Sequence, residues 1–257
     1  MGETRPIDED TAYLLGVLCG DGGIVDTKRP QERPRFYLLV KDFDFANHTE
    51  KCWKSIANDI GCRQWSVARP IGCRPGFWGF KSSSRVVEVL LKYFEPGRKA
   101  LTWRVPSDIM NSSDSVKRHF LMGFFDSEGC VELDVKRHRR ISASSSNPDG
   151  LADVRDLLLS LGFDCWINSN KVFITGKSEI AKFRSEIGFR LKRQQDKLDR
   201  LLGSYKWDES RNRYGRNVRD KIIELHNNGL STRKIAKETG ASKSYVASYI
   251  KMFRIGG

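Results

Sequence analysis

Two short apolar segments of similar sequence limit what this chain can fold into. Residues 13–23 read YLLGVLCGDGG and residues 120–130 read FLMGFFDSEGC, so that Gly123 stands 107 positions after Gly16. Each segment is apolar on every side of a helix, which predicts a buried helix rather than a surface helix. The fold must therefore give two related helices a place in its interior.

The sequence that follows each apolar segment repeats the same order of predicted elements. A strand-forming stretch comes first, then an amphipathic helix that ends before a glycine, then a second strand pair and a closing helix. The paired stretches are 24–41 and 131–146, 43–60 and 149–161, 63–81 and 163–175, and 84–94 and 178–187. Turn signals at Arg74-Pro75-Gly76 and Asn168-Ser169-Asn170 indicate antiparallel strands. We predict an α+β fold with two pseudo-symmetric αββαββα repeats.

The repeats leave room for two linkers and for a third, smaller domain at the C-terminus. We expect the parts in this order: first repeat 1–103, linker 104–118, second repeat 119–205, linker 206–217 and a C-terminal domain 218–257.

Small residues recur four positions apart in both apolar segments. Gly16 and Gly20 in the first, and Gly123 and Ser127 in the second, lie on one face of their helices. Small side chains allow two backbones to approach closely, so we predict that the two helices pack against each other.

Each apolar segment also ends in an acid followed by glycine, Asp21-Gly22 and Glu128-Gly129. We expect the glycines to adopt the left-handed helix cap. An acid at a helix C-terminus is unfavourable because that end carries partial negative charge. Packing the helices together adds a second acid, and a divalent cation such as Mg²⁺ would relieve the repulsion. Ordinary acids that face solvent are the alternative for one segment, but two matched segments favour a metal site.

The charge of the chain favours a nucleic acid as partner. Lys and Arg number 45 against 32 Asp and Glu, a formal net charge of +13, which is typical of proteins that bind polyanions. A solvated basic surface is the alternative. No apolar run approaches the roughly 20 residues of a membrane span, and no signal peptide is recognisable. We expect an intracellular protein with reduced cysteines and no zinc site, since neither CxxC nor HExxH occurs.

The two segments, LLGVLCGDG and LMGFFDSEG, resemble the LAGLIDADG motif of homing endonucleases. The resemblance covers about residues 11–205 in the two-motif, single-chain form. It implies a monomer whose halves form a saddle over DNA, with the motif helices between them. Asp21 and Glu128 would bind metal at the scissile phosphates, and cleavage across the minor groove would leave staggered ends. Cys19 departs from the motif, where aspartate is usual, but not at the metal position, and we expect Asp126 at the matching place to be structural.

The same resemblance implies the cofactor and the groups around it. We expect Mg²⁺ at Asp21 and Glu128, beside Gly20 and Ser127, with Mn²⁺ able to substitute and Ca²⁺ supporting DNA binding without cleavage. It also implies basic side chains near the metal, for which the candidates are Lys41, Lys99 and Lys192. The place that matches Lys41 in the second repeat, near Ser145-Ser146-Asn147, has no lysine. A solvated surface position is the alternative for each lysine.

Basic residues that cluster on the predicted strands and turns are the candidates for contacts with DNA. Side chains of a strand alternate between its two faces, so only some can reach DNA, where they bind phosphate or base edges. The candidates are Lys28, Arg29, Arg33 and Arg35 in the first repeat and Lys136, Arg137, Arg139 and Arg140 in the second.

The C-terminal domain is predicted to hold three short helices. Ser231 and Ser242 are candidate N-caps and Gly240 lies between them, which resembles a helix-turn-helix of the resolvase type. A helical appendage that braces the core or binds a protein is the alternative. The predicted recognition helix would present to DNA the side chains of Lys243, Ser244, Tyr245 and Ser248.

The leading hypothesis from the sequence is a monomeric, site-specific endonuclease of double-stranded DNA with a long asymmetric target. An RNA maturase that assists intron splicing and a DNA-binding regulator without catalysis are the alternatives. We do not expect an intein, because the chain starts with Met1 and ends in Gly256-Gly257 without splicing residues. The expected location is the cytoplasm or nucleoid of a prokaryote or phage host, with an organelle as the other setting.

Overall fold

The computed structural model describes residues 7–25, 34–62, 68–70, 75–82, 85–95, 99–134, 138–205 and 216–255. The chain divides into two compact units, Met1–Ser204 and Tyr205–Gly257.

The first half of the larger unit alternates helices and short strands as the repeat pattern predicts. Its elements are α1 (Glu9–Cys19), β1 (Gly23–Val25), β2 (Arg35–Val40), α2 (Phe43–Asp59), β3 (Arg69–Pro70), β4 (Trp78–Ser82) and α3 (Arg85–Leu91). Two short helices, α4 (Lys99–Thr102) and α5 (Ser107–Met110), lead to the second half.

The second half repeats this order and adds one helix. Its elements are α6 (Asp114–Glu128), β5 (Gly129–Asp134), β6 (His138–Ser144), α7 (Pro148–Ser160), β7 (Cys165–Asn168), β8 (Lys171–Thr175), α8 (Lys177–Glu186) and α9 (Lys192–Gly203). Helix α6 begins at Asp114, inside the stretch 104–118 that the sequence predicted as a linker.

Each half contains a four-stranded antiparallel sheet with the same strand order, β1-β2-β4-β3 and β5-β6-β8-β7. The inner strands pair in equivalent ways, Leu38 with Phe80 and Ile141 with Ile174. This repeated topology confirms the predicted α+β fold with two related halves.

One face of each sheet packs on helices and forms the core. In the first sheet Phe36 and Phe80 face inward and surround Trp53 of α2, at ring-centre distances of 5.2 and 5.5 Å. In the second sheet Val131, Ile141 and other inward residues are fully buried, and α7 packs against β7 and β8. The side chains between these inward positions point away from the helices, and we call the surfaces that they form the outward faces.

Glycines end the long helices where the sequence predicted. Helix α2 stops before Gly61, whose φ is +60°, and α7 stops before Gly162, whose φ is +74°. Only glycine adopts this left-handed conformation without steric cost, so these two positions terminate their helices. Ser169 also has a positive φ, of 55°, in the predicted turn between β7 and β8.

Helix α9 was not predicted from the sequence. It buries Gln194, Leu198 and Leu201, which lie on one helix face because they are spaced by four and three residues. The Gln194 side chain accepts a hydrogen bond from Val131 N (3.2 Å) and donates to Gly129 O (3.4 Å). The helix therefore covers the outer edge of β5, whose backbone groups would otherwise lack strand partners.

In its described residues the smaller unit has three helices, α10 (Arg216–Asn227), α11 (Thr232–Thr239) and α12 (Lys243–Ile255). Its own core includes Ile222, Ile235, Val246 and Ile250. Ser231 caps α11, and Gly240 has a φ of +66°, as the sequence suggested. The helical nature of the C-terminal region is thereby confirmed.

Across the described part of the chain, every helix is too short or too polar to cross a lipid bilayer.

Candidate active site

Helices α1 and α6 pack backbone against backbone. A Cβ atom on Gly16 would lie 2.1 Å from Phe120 O, and one on Gly123 would lie 2.1 Å from Tyr13 O. Both distances are far inside van der Waals contact, so glycine is required at each position. The contacts are reciprocal, since Phe120 and Gly123 are the residues that match Tyr13 and Gly16 in the repeat. The predicted close packing of the two helices is confirmed.

The same packing brings the acid-bearing ends of the two helices together. A Cβ atom on Gly20 would lie 2.2 Å from Ser127 Cβ and 3.2 Å from Glu128 Cγ. Glu128 is the last residue of α6 and is half-buried, whereas Asp21 follows Gly20 directly and is exposed. The four residues predicted to form the metal site, Asp21, Glu128, Gly20 and Ser127, therefore share one end of the helix interface.

The glycines that follow the two acids do not form the left-handed caps expected from the sequence. Gly129 has φ −79° and ψ 145°, and Gly22 also lies outside the left-handed region. Both are required for space instead. A Cβ atom on Gly129 would lie 2.2 Å from Phe125 O, and one on Gly22 would lie 2.9 Å from Val17 Cγ1.

The donor set at this place suits a cation that takes part of its coordination from other sources. Among the described residues, His, Cys, Asp and Glu side chains do not assemble in groups of three or more that could hold a metal ion. Two carboxylates can hold Mg²⁺ when backbone, water or phosphate oxygens complete its shell, which is the usual arrangement for this ion. Asp21 and Glu128 fit that requirement.

A cavity of about 270 Å³ opens beside Glu128. Its polar lining comes from the end of β6 and the turn before β8, where Ser145 N donates a hydrogen bond to Asn170 O at 3.0 Å. Hydroxyl and amide groups thus stand where the second repeat lacks a lysine. The lining residues include Gly20, Glu128, Ser144, Ser145, Ser146 and Asn170.

The structure also brings the segments of two candidate lysines together. Lys41 is exposed at the end of β2, with Nζ 5.5 Å from the centre of the Phe77 ring. Lys192 begins α9, and its backbone N–H donates to Asp44. Next to it, Arg193 Nε donates to Asp42 Oδ1 at 2.7 Å.

Within α9, Lys192 Nζ lies 3.0 Å from Asp196 Oδ2, so its charge is partly balanced locally. Lys99 is the first residue of α4, and its side chain lies outside the described part of the structure.

Asp126 has a structural position, as expected. It is buried in the helix pair, where it accepts hydrogen bonds from Tyr13 Oη (2.9 Å) and from Arg190 N (2.8 Å). Burial raises the pKa of Asp126 to about 7, although both hydrogen bonds act in the opposite direction. The repeat matches Tyr13 with Phe120 and Asp126 with Cys19, and both matching residues are buried. The departure of Cys19 from the motif thus accompanies an apolar ring, that of Phe120, at the place that matches the tyrosine hydroxyl.

The outward faces of both sheets carry basic and aromatic side chains. On the first sheet Arg35 and Tyr37 alternate with the buried residues of β2, and Tyr37 stands opposite exposed Lys81. On the second sheet Arg140 is on the outward face, whereas Arg139 points to the helix side. Four further outward residues were not predicted from the sequence, although strand alternation, and for two of them aromatic character, could have identified them: Tyr37, Lys81, Trp166 and Lys171. Five predicted DNA contacts lie outside the described residues: Lys28, Arg29, Arg33, Lys136 and Arg137.

In the smaller unit, α12 presents most of the predicted recognition residues. Lys243, Ser244 and Ser248 are exposed. Tyr245 is half-buried and stacks on Tyr249, with ring centres 6.0 Å apart and planes 6° from parallel.

Comparison with known protein families agrees with the motif. Residues 115–188 match the family model of the LAGLIDADG-like domain. The chain is 30% identical over 129 residues to the probable translation initiation factor IF-2 of Thermococcus kodakarensis, covering 49% of this chain and 11% of that protein. It is 25% identical over 114 residues to the isomerizing glutamine–fructose-6-phosphate aminotransferase of Methanocaldococcus jannaschii, covering 40% of this chain and 10% of that protein.

These curated relatives differ in their named activities, and the chain spans only 11% and 10% of their lengths. The similarity is therefore to a limited region of each relative, and their activities are not evidence for the activity of this chain.

Solved structures of the homing endonuclease I-DmoI share the fold. The complex of I-DmoI with DNA and Ca superposes with a TM-score of 0.53 at 18% identity, over 76% of this chain and 100% of that one. A structure of mesophilic I-DmoI variants gives 0.52 at 18% identity, over 70% and 94%. The two four-stranded antiparallel sheets and the pair of motif helices, α1 and α6, are thus arranged as in the LAGLIDADG fold.

Proposed function

We propose that this chain is a site-specific endonuclease that hydrolyses both strands of double-stranded DNA with a divalent metal and leaves staggered ends. One observation carries the proposal: the packing of α1 on α6 through Gly16, Gly123 and Gly20 puts Glu128 beside the helix end that carries Asp21. A fold that only needed a stable helix pair would not place two acids at the unfavourable ends of both helices.

Asp21 and Glu128 are the metal-binding residues in this proposal, with the backbone at Gly20 and Ser127 beside them. A bound divalent ion would activate water and stabilise the leaving oxygen. Mg²⁺ is the expected cofactor, Mn²⁺ substitutes, and Ca²⁺ supports DNA binding without cleavage. Related structures support this choice, since I-DmoI has been seen with DNA together with Mn and with Ca.

Polar groups around the acids have the task of stabilising the charge that develops on the phosphate. Lys41 and Lys192 belong to neighbouring segments that Asp42 and Asp44 connect, which supports a shared role for them. We assign Lys99 to the same task from its place in the sequence. Beside Glu128, the hydroxyl of Ser145 and the amide of Asn170 are suited to hold water or a phosphate oxygen.

The outward faces of the two sheets are the proposed DNA-binding surface. They differ in sequence between the repeats, so a monomer would recognise a long target without symmetry. Helices α11 and α12 add a helix-turn-helix contact through Lys243, Ser244, Tyr245 and Ser248, which lengthens the target or increases affinity.

The decisive experiment is a cleavage selection on a DNA library with Mg²⁺, run beside the Asp21→Asn and Glu128→Gln variants. We expect discrete staggered cuts by the wild type alone. Uncut DNA with the same bound sequence for all three proteins would show a regulator without catalysis. Tight binding to an intron transcript without DNA cleavage would show an RNA maturase. Intact cleavage by both variants would refute the metal site.

A further inference from the structure

An arginine on the outward face of the second sheet is held in a fixed orientation. Arg140 of β6 stands directly opposite Glu132 of β5, and its Nε donates to Glu132 Oε2 at 2.6 Å. On its other side the guanidinium carbon lies 4.3 Å from the centre of the Phe173 ring. A carboxylate and an aromatic ring thus define both the position and the plane of this guanidinium.

The carboxylate itself is held by further contacts. Ser142 Oγ donates to Glu132 Oε1 at 2.7 Å, and Lys171 Nζ lies 3.8 Å from the same oxygen. Burial raises the pKa of Glu132, but the hydrogen bonds from Ser142 and Arg140 outweigh it and leave the pKa below its usual value. The side chains of Arg140 and Glu132 are only 25% and 21% exposed. The pair is therefore ionised at neutral pH and more rigid than an ion pair in open solvent.

A carboxylate at this place opposes binding of a polyanion. An arginine whose task is to neutralise phosphate needs only its charge, and an adjacent acid cancels that charge. The arrangement has an advantage where orientation matters more than charge. The planar guanidinium recognises two acceptors at once, and fixing it before binding lowers the entropic cost of that contact. In the major groove the pair of acceptors that arginine recognises is O6 and N7 of guanine.

We propose that Arg140 reads one guanine of the target through its two Nη groups, and that Glu132 is the positioning residue that fixes the guanidinium plane. The Nε–H is already donated to Glu132, which leaves the Nη groups for the base. This inference rests on the proposed function, in which the outward face of the second sheet contacts double-stranded DNA. Arg140 thereby differs from residues that contact phosphate, which carry no sequence information.

The test is selection of bound DNA sequences by the full-length chain in Ca²⁺, followed by affinity measurements on the selected site and its single-base variants. We expect the wild type to require guanine at a position where Arg140→Ala accepts any base. Replacing that guanine should weaken wild-type binding by roughly 5- to 150-fold and leave the Arg140→Ala affinity almost unchanged. Arg140→Lys keeps the charge without the planar group and should lose most of the discrimination.

Glu132→Gln tests the positioning role separately. This variant keeps the size of the side chain and the arginine but removes the charge that holds it. We expect tighter binding to unrelated DNA sequences, because a negative charge is gone, together with a weaker preference for guanine. A merely structural role would not produce these opposite changes. An unaltered guanine preference in Glu132→Gln would refute the role of Glu132.

Arg155→Ala is the matched control, since it also removes one arginine from an ion pair, with Asp156 at 2.7 Å. Arg155 lies on α7, which packs on the opposite side of the sheet, and we expect its selected sequence to match that of the wild type. If Arg140→Ala weakens all sequences equally and lowers the salt dependence by about one unit, Arg140 binds phosphate and the proposal is wrong. If the wild type selects no DNA sequence, the proposed function fails with it; a selected site that Arg140→Ala leaves unchanged refutes this inference alone.

Discussion

At the residue scale, Gly16 and Gly123 decide whether α1 and α6 can pack together. A Cβ atom on Gly16 would lie 2.1 Å from a carbonyl oxygen of α6, and a backbone oxygen cannot move aside without separating the helices. We expect Gly16→Ala to destabilise the protein by about 1–3 kcal/mol or more and to abolish cleavage. Urea denaturation gives the stability, with Gly203→Ala as control, because a Cβ atom there would contact nothing within 4 Å. Equal stability of the two variants would contradict the close packing.

A second residue-scale prediction concerns how stability depends on pH, because the pKa of Asp126 is raised and the pKa of His48 is lowered. Burial raises the pKa of Asp126 to about 7, so the folded state holds this proton more tightly and stability falls as the pH rises from about 4 to 7. Burial lowers the pKa of His48 to about 4, and nearby Arg190 adds to that effect. The contribution of His48 to stability therefore increases as the pH rises from about 4 to 6.5, which is the pKa of histidine in the unfolded chain.

The Asp126→Asn variant separates these two contributions. Asparagine can still accept from Arg190 N and donate to the Tyr13 oxygen, so both contacts persist in altered form. We expect the free energy of unfolding of the variant, relative to the wild type, to increase steadily between about pH 4 and 7. Urea denaturation across this interval measures it, and parallel pH profiles for the two proteins would show that Asp126 titrates normally.

At the element scale, the helix ends and turns that the sequence predicted correctly are those marked by a local signal, a glycine or a turn sequence. Helix α2 ends before Gly61 because a left-handed residue is needed there, and the turn signals at Asn168-Ser169-Asn170 were sufficient for the β7–β8 hairpin. The sequence could not distinguish a glycine required for its φ from one required for space. The prediction of left-handed caps at Gly22 and Gly129 was wrong for this reason. Likewise, nothing local indicates that Ser145 lines a cavity with Glu128, because β6 and α6 meet only through the fold.

Helix α9 escaped prediction because its buried face is short and includes an amide, Gln194, among its apolar residues. That amide supplies the missing hydrogen bonds at the edge of β5, directly after Glu128. We expect Gln194→Leu to cost about 1–3 kcal/mol, since it leaves the Val131 N–H and the Gly129 carbonyl unpaired. On a supercoiled plasmid with the target site, it should also slow cleavage of one strand more than the other, so that nicked circles accumulate.

The control for this element is Arg200→Leu, which changes an exposed residue of the same helix. It should give wild-type proportions of nicked and linear plasmid. Equal slowing of the cleavage of both strands by Gln194→Leu would mean that α9 stabilises the whole unit without a particular effect on the Glu128 side.

At the scale of the whole molecule, the metal and the DNA are expected to depend on each other. In the proposed site, Asp21 and Glu128 place negative charge where a phosphate would approach, and the described residues do not provide a third acidic, histidine or cysteine ligand with them. A divalent ion therefore needs phosphate oxygens to complete its shell, and the DNA needs the ion to offset the acids. Linkage requires each to tighten the binding of the other by the same factor.

We accordingly expect Ca²⁺ to increase the affinity of the wild type for its target, and the target to increase the affinity for Ca²⁺ equally, as measured by titration calorimetry. The Asp21→Asn, Glu128→Gln double variant should lose this coupling and bind DNA more tightly than the wild type in EDTA, because the repulsion of the phosphate is gone. The basic surface of this +13 chain is common to both proteins, so the difference between them isolates the acids. DNA affinity of the wild type that does not respond to Ca²⁺ would show that the acids do not meet the phosphate through a metal ion.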